Sequence, residues 1–316
     1  MSAVAATFWP QPSWTAALAG LSNLDLRWNV PLARHTTFRL GAPVTCLAQP
    51  RSITALQALI RRLVQEGIPY FLLGAGSNLL AADEPWDGVA IQLGQCCGEI
   101  RLNPPDHVTE MQRLQVGAGV KLARLLRFSL RQGLAGFEPL VGIPGTVGGA
   151  VVMNAGTGGG SITDVLDAIT ILEVTGELRE IPKSRLDIGY RSVTLPEHSL
   201  ILEADFSVVA TDPKQLRTKL QAAMKHRRQT QPLGWPSAGC IFKNPPGHSA
   251  GALIERAGLK GLRSGDAEIS TKHGNWIVNL GHASARDVLT LVRIAEERVF
   301  KEFGIHLERE IRVLGG

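Results

Sequence analysis

The chain reads as an α+β protein, and three observations carry that reading. Helical and strand patterns both occur but alternate irregularly, which speaks against a doubly wound α/β sheet. Four segments combine helical apolar spacing or composition with recognisable ends. Two glycine-rich loops, 74–80 and 141–160, each follow an apolar segment.

The elements follow in order. Met1 to Leu21 carries Trp9-Pro10 and no basic start before an apolar block, a poor match to a signal peptide. That stretch is expected to be loosely ordered, within an N-terminal extension over residues 1–30. "SITALQALIRRLVQE" (52–66) sets Ile53, Leu56, Leu59, Ile60 and Leu63 on one helical face, with Ser52 as N-cap and Gly67 at the far end. Strands are expected at 70–73 and 89–93. A polar loop at 103–110 precedes a strand at 114–116 and a helix over 120–132 that stops at Gly133. Strands at 169–174 and 200–209 flank a Thr175-Gly176 turn. A basic helix near 213–228 leads to a mixed final third. That third closes on "SARDVLTLVRIAEERVFKEFG", where Ser284 and Asp287 form a capping-box pattern and Gly304 ends the helix.

A chain of 316 residues is long enough for two or three domains with their own cores. No apolar run is long enough to span a bilayer. Cys46, Cys96, Cys97 and Cys240 have no metal-ligand spacing, so reduced thiols in a cytoplasm are the simplest expectation. Cys96 and Cys97 are adjacent and would not readily bridge each other. A net charge of +5 favours an anionic small molecule, and no basic tract interleaved with aromatics argues for nucleic acid. The oligomeric state is not legible.

The first loop, "YFLLGAGSNLL", begins like a dinucleotide fingerprint. Yet Leu79 stands where a third glycine belongs, and Asp83-Glu84-Pro85 breaks the chain before any helix. Glycines let successive N–H groups converge on an anion because no Cβ blocks the approach. A tight turn explains one such loop well enough. A second, "VGIPGTVGGAVVMNAGTGGG", is harder to dismiss: a single phosphate does not need both, whereas a diphosphate between two lobes can use both.

The motifs "LLGAGSNLL", "GIPGTVGGAVVMNAG", "YRS", "SAGCIFKNP", "AGALIERAGLKG" and "LEREI" occur in that order from about Arg34 to the C-terminus. Together they resemble the UDP-N-acetylenolpyruvoylglucosamine reductase family, flavoenzymes of peptidoglycan synthesis. The resemblance implies the vanillyl-alcohol-oxidase (PCMH) type of fold. Residues 31–97 and 98–212 would be two FAD-binding lobes and 213–316 an α+β substrate domain. It also implies NADPH as co-substrate and reduction of an enolpyruvyl ether to a lactyl ether: the reduced flavin N5 delivers hydride to the vinyl carbon distal to the carboxylate.

Residue by residue, the FAD contacts implied are Gly74, Ala75, Gly76, Ser77, Asn78 and Leu79 from one loop. From the other they are Gly142, Pro144, Gly145, Thr146, Gly148, Gly149, Asn154, Ala155 and Gly156. Ser77, Thr146 and the Asn78 amide would add donors to phosphate oxygens; Asn154-Ala155-Gly156 would bring backbone near the flavin ring, with a turn residue as the weaker alternative for Asn154. No His or Cys lies in 74–80 or 141–160, so FAD is expected to be non-covalent.

Arg191 in Tyr190-Arg191-Ser192 matches the family's Tyr-Arg-x-Ser segment, with Ser192 one place early. It would hold the substrate carboxylate and spread enolate charge; without the resemblance it reads as a surface residue. Glu310 matches the family's last acid, and as a carboxylate beside an enolate it must be protonated or act through water, hence a raised pKa. Glu308 would share its face if both lie in a strand. Cys240 stands where the family has serine as proton donor. A thiol, ordinarily titrating near ~8.5, can keep that role; a buried structural cysteine is the alternative. Tyr190, Arg228, Asn244 and Lys260 are the substrate contacts implied. The short stretch between Arg191 and Leu200 fits the subtype without an inserted substrate loop. The aromatic residue the family often has after "NAG" is missing. A sugar or lactone oxidase on the same FAD fold, or a non-catalytic nucleotide-binding module, remain the competing readings.

Overall fold

In the computed structural model, residues 12–103 and 111–315 are described. Strand β1 (Leu24–Pro31) pairs antiparallel with β2 (Pro43–Pro50). This corrects the expected extension over 1–30, of which 1–11 lie outside the described residues. Leu24, Leu26, Trp28 and Val30 alternate with Asp25, Arg27 and Asn29, the period of a strand with one face covered. Helix α1 (Ile53–Gln65) starts where Ser52 Oγ accepts the Ala55 N–H, and Gly67 follows it at φ +62°. It buries Leu56, Leu59, Ile60 and Leu63 against Cys46, Val89 and Ile91 of the sheet. Each such side chain contributes on the order of 2 kcal/mol. β3 (Tyr70–Leu72), β4 (Leu79–Ala81) and β5 (Trp86–Ile91) complete this lobe; β5 lies between β2 and β3, parallel to both.

The second lobe opens with β6 (Ile100–Leu102) and β7 (Met111–Gly117). All but the first residue of the expected 103–110 loop lies outside the described residues. Helix α2 (Leu122–Gln132) ends on Gly133 at φ +64° and leads to β8 (Leu134–Ala135). The second glycine stretch, expected to be loop throughout, holds a short helix, α3 (Val147–Val152). β9 (Leu166–Leu172), β10 (Leu178–Pro182), β11 (Asp187–Gly189), β12 (Ser192–Thr194) and β13 (Leu200–Ala210) follow. The antiparallel sheet runs β10-β9-β13-β7-β6, with β8 beside β13 and β11–β12 as a separate hairpin.

The final third holds α4 (Pro213–Thr230), α5 (Ala250–Arg256), β14 (Arg263–Ser264), β15 (Ala267–Ile269), β16 (Ile277–Asn279), α6 (Ala285–Phe303) and β17 (Arg312–Leu314). The Ser284–Asp287 capping box is formed and Gly304 closes α6 at φ +68°. Asp83, in the first lobe, also accepts the Ala285 and Arg286 N–H groups. The division at 213 is not a clean cut. β17 pairs in parallel with β4, and Phe38, Leu40 and Leu80 of the first lobe lie in the core around α5 and α6. Among the described residues no helix is long and apolar enough to cross a membrane.

Candidate active site

The two glycine loops meet across a cavity of about 1740 Å³. A Cβ on Gly74 would sit 2.8 Å from Thr146 Oγ1, and one on Gly145 would lie 3.9 Å from Ser77 Oγ. Gly76 is required for two reasons: its φ is +61°, and a Cβ there would meet the His35 carbonyl oxygen at 2.1 Å. Gly74 to Leu79 line the cavity, as do Gly142, Pro144, Gly145, Thr146, Gly148, Gly149, Ala155 and Gly156. Its volume exceeds the roughly 300–1000 Å³ of a site for one small ligand. These bare backbones and hydroxyls suit the FAD that the resemblance implies.

Asn154 is not among the lining residues. At φ +40°, it donates from Nδ2 to the Gly189 carbonyl at 3.0 Å and accepts from Thr163 Oγ1 at 2.7 Å. The Asn154 side chain thus braces the β11–β12 hairpin, while its neighbours Met153 and Ala155 line the cavity. Gly189 and Ser192 are paired there, so Tyr190-Arg191 is a two-residue turn, and Arg191 takes φ +57°, a position that favours glycine. That turn aims Arg191 into the cavity. Its Nη1 donates to the Gly156 carbonyl at 3.0 Å. Its Nε lies 3.2 Å from Glu310 Oε1, off the line that a hydrogen bond needs. Arg191 Nε and Trp276 Nε1 are buried side-chain donors without a well-aligned partner among the described residues, the Trp276 indole bearing only on the Cys240 thiol, and both residues line the cavity. Such donors ask for a ligand.

Cys240 and Glu310 reach the same cavity from adjacent segments. Cys240 bridges Trp276, the Ile241 N–H donates to the Asn275 carbonyl, and the Glu310 N–H donates to the Ile241 carbonyl at 2.8 Å. The expected shared face of Glu308 and Glu310 is not found. The chain makes only a single bridge there, Arg309 to Phe242. Glu308 leaves 71% of its side chain exposed beside Lys243, against 16% for Glu310. Burial raises the Glu310 carboxyl above its ordinary range, opposed by Arg191 and Lys243. Burial first, then the Glu310 charge, pushes the Cys240 thiol up to about 11, against the pull of Arg191, of a hydrogen bond from Trp276 and of Arg227.

The four implied substrate contacts do not line this cavity. Tyr190 is exposed and lies under the Arg191 guanidinium, 5.4 Å from ring centroid to Cζ. Arg228 lines an adjoining cleft of about 520 Å³ with Ser270 and Lys272, and that cleft shares Gln231, Leu233, Gly234 and Trp235 with the cavity. Asn244 Oδ1 accepts the Ala250 N–H at the start of α5, and Lys260 pairs with Glu255 at 2.9 Å. In place of Arg228 the cavity holds Arg227, which is buried, donates to the Val141 carbonyl at 2.7 Å and to Gln231 Oε1, and is lowered in pKa by burial. The signal for it was present: Leu216 and Arg227 are eleven residues apart, close to three helical turns, so they share the inner face of α4. Lys121, Trp276 and Arg312 also line the cavity without having been singled out in the sequence.

Comparison with known proteins gives the same answer from several directions. Residues 231–314 match the family model described as the C-terminal domain of UDP-N-acetylenolpyruvoylglucosamine reductase, and 44–182 match an FAD-binding domain. The UDP-N-acetylenolpyruvoylglucosamine reductase of Syntrophobacter fumaroxidans is 49% identical over 94% of this chain and 86% of its own length. That of Geotalea uraniireducens is 40% identical over 95% and 96%. The crystal structure of the enzyme from Thermus caldophilus superposes with a TM-score of 0.77 at 37% identity, covering 92% of this chain and 99% of that one. With relatives of that identity spanning nearly its whole length, the chain belongs to the UDP-N-acetylenolpyruvoylglucosamine reductase family.

Proposed function

We propose that this chain reduces the enolpyruvyl ether of UDP-N-acetylglucosamine-enolpyruvate to UDP-N-acetylmuramate, a step of peptidoglycan synthesis, in the cytoplasm. The single observation behind this reading is that Arg191, Cys240 and Glu310 line the same cavity as both glycine loops. FAD, bound without a covalent tether, would supply the redox chemistry, with NADPH as the hydride source. The loop 74–79 and the loop from Gly142 to Gly149, with Ala155 and Gly156, hold it.

The protein's own groups handle charge and protons. Hydride arrival at the vinyl carbon distal to the carboxylate builds enolate charge on that carboxylate. The Arg191 guanidinium, fixed by Gly156 on one side and Glu310 on the other, presents a planar cation to it. Burial raises the Glu310 carboxyl, and the Arg191 guanidinium beside it offsets its charge where the enolate builds. Cys240 gives its proton to the carbon next to the carboxylate. A thiol held near 11 stays protonated at neutral pH and is available as a donor. Arg227 supports the second loop through Val141 and stands close enough to Cys240 to stabilise the thiolate left behind.

The test is to mix purified protein with NADPH and the enolpyruvyl sugar nucleotide and follow NADPH loss. Loss of NADPH matched by lactyl ether formation is the expected result. Oxygen uptake with a sugar and no NADPH requirement would favour the oxidase reading instead.

A further inference from the structure

Cys96 and Cys97 serve no step of the reaction and do not line the cavity. Their sulfurs nevertheless lie only 3.5 Å apart. The turn that carries them is fixed at both ends. The Cys97 N–H donates to the Leu93 carbonyl at 2.9 Å, and the Cys97 carbonyl accepts the Gly119 N–H at 2.9 Å. Gly117 and Gly119 let the turn lie that close: a Cβ on the first would meet the Cys97 carbonyl oxygen at 2.2 Å, and one on the second the Leu93 carbonyl oxygen at 2.5 Å. Side chains of neighbouring residues point apart in a strand; this turn brings both to one side. Cys96 is half-buried and Cys97 is 5% exposed.

A disulfide suits this pair poorly. It needs sulfurs at about 2.05 Å and Cα atoms usually ~4.4–6.8 Å apart, whereas consecutive Cα atoms are ~3.8 Å apart. Closure would therefore break the turn. One soft centre bonded to both sulfurs needs no such movement. With bonds of about 2.3 Å, the length of a metal–thiolate bond, sulfurs 3.5 Å apart subtend an angle of about 100° at the centre. That angle belongs to a pyramidal three-coordinate atom.

The geometry points to Cys96 and Cys97 as a dithiol site that captures a trivalent arsenical, both sulfurs bonding one arsenic. Two As–O bonds of an organoarsenic dihydroxide break and two As–S bonds form. The two thiol protons leave with the two oxygens as water, and arsenic stays trivalent, so no oxidant or reductant is consumed. The reactant is neutral, which suits a site where the Glu203 carboxylate bears on Cys97. Cys96 is the entering thiol. It is the more exposed of the two, and the hydrogen bond from Cys97 holds its pKa below the ordinary thiol value. This inference does not depend on the proposed reaction.

The probe is phenylarsine oxide, added to the flavin-loaded protein and followed by intact mass. One phenylarsenic group per chain, with two thiol protons lost, is expected. A vicinal dithiol should remove it, and a monothiol at equal thiol concentration should not. Cys96→Ser should weaken capture by roughly a hundredfold or more, because the chelate is lost. Cys97→Ser should do the same, with retained flavin as the check that each variant is folded. No adduct on the wild-type chain, equal capture by the folded Cys96→Ser variant, or release by the monothiol would overturn the proposal.

Discussion

The carboxamide of Asn78 donates from Nδ2 to the main-chain carbonyl of Glu310 at 3.0 Å, linking residues 232 positions apart. The Arg312 N–H donates back to the Asn78 carbonyl at 2.9 Å. The first glycine loop and the segment carrying the acid are thus one hydrogen-bonded unit. From sequence, the Asn78 amide reads as a phosphate donor; in the structure that amide is already committed. The bond fixes the acid relative to the loop that holds the cofactor, which is what a reaction between a cofactor and a second reactant requires.

Asn78→Ala should therefore behave as the loss of a positioning residue. It leaves the Glu310 carbonyl short of a partner, a loss of about 1–3 kcal/mol. Reoxidation of the reduced enzyme by the enolpyruvyl substrate should slow by roughly tenfold. Reduction by NADPH and flavin content should change little. Rapid kinetics on the two half-reactions check this. An equal fall in both would assign Asn78 to the flavin alone.

Arg191→Lys removes a planar fork from a turn position that already carries backbone strain. Lysine can satisfy the Gly156 carbonyl or face the substrate carboxylate, but not both as the guanidinium does. Substrate reduction should fall by roughly tenfold to a thousandfold, as when an oxyanion donor is lost. NADPH oxidation in the first half-reaction should be far less affected. Asn154→Ala, which frees the Gly189 carbonyl, should reproduce part of the same defect without touching the cavity.

Gly74→Ala tests how tightly the two loops close. Its Cβ would lie 2.8 Å from Thr146 Oγ1, so either Thr146 rotates or the loops part. The purified variant should carry less FAD than wild type. Adding Thr146→Ala, which clears the obstructing hydroxyl, should restore part of it. In the wild-type protein, acid denaturation should release all the flavin. His35 and Cys240 also line the cavity, so flavin remaining on the unfolded chain would overturn the non-covalent reading.

What the sequence disclosed follows from the range of the forces involved. Ser52, Gly133, Ser284, Asp287 and Gly304 act within one helical turn, and each helix end was legible from a few letters. The β1 strand was overlooked in the expected extension, although the alternation from Leu24 to Val30 is a local mark of it. Arg227 was not singled out because its neighbour Arg228 has the same chemistry and only the phase of α4 separates them. The contacts that cross the chain carry no local mark. Nothing near Asn154 shows that its amide steadies Gly189, and nothing near Asn244 distinguishes a helix cap from a substrate contact. Glu308 and Glu310 differ only in what lies opposite them, Lys243 for one and Arg191 for the other.

Cys240 separates a proton donor from a core residue most cleanly. Cys240→Ser should stay active, since an alcohol can still donate. Cys240→Ala should fold, bind FAD and accept hydride from NADPH, yet reduce the enolpyruvyl substrate very slowly. The pH dependence has a definite sign. A thiol donates only while protonated, so activity falls as pH rises through its pKa. An unperturbed thiol would place that fall near ~8.5, but burial and the Glu310 charge place it near 11. Activity should therefore hold across the mildly alkaline range where an ordinary thiol would ionise. The rate of Cys240 alkylation, which needs the thiolate, should keep rising through pH ~9 without a plateau. Glu310→Gln removes one of the charges that raises the thiol, so the alkylation profile of that variant should shift to lower pH. Single-turnover reoxidation of the alanine variant decides the role. A near-native rate there would mean that Cys240 is not the donor, and the buried Ser237, which lines the same cavity, would be the group to test next.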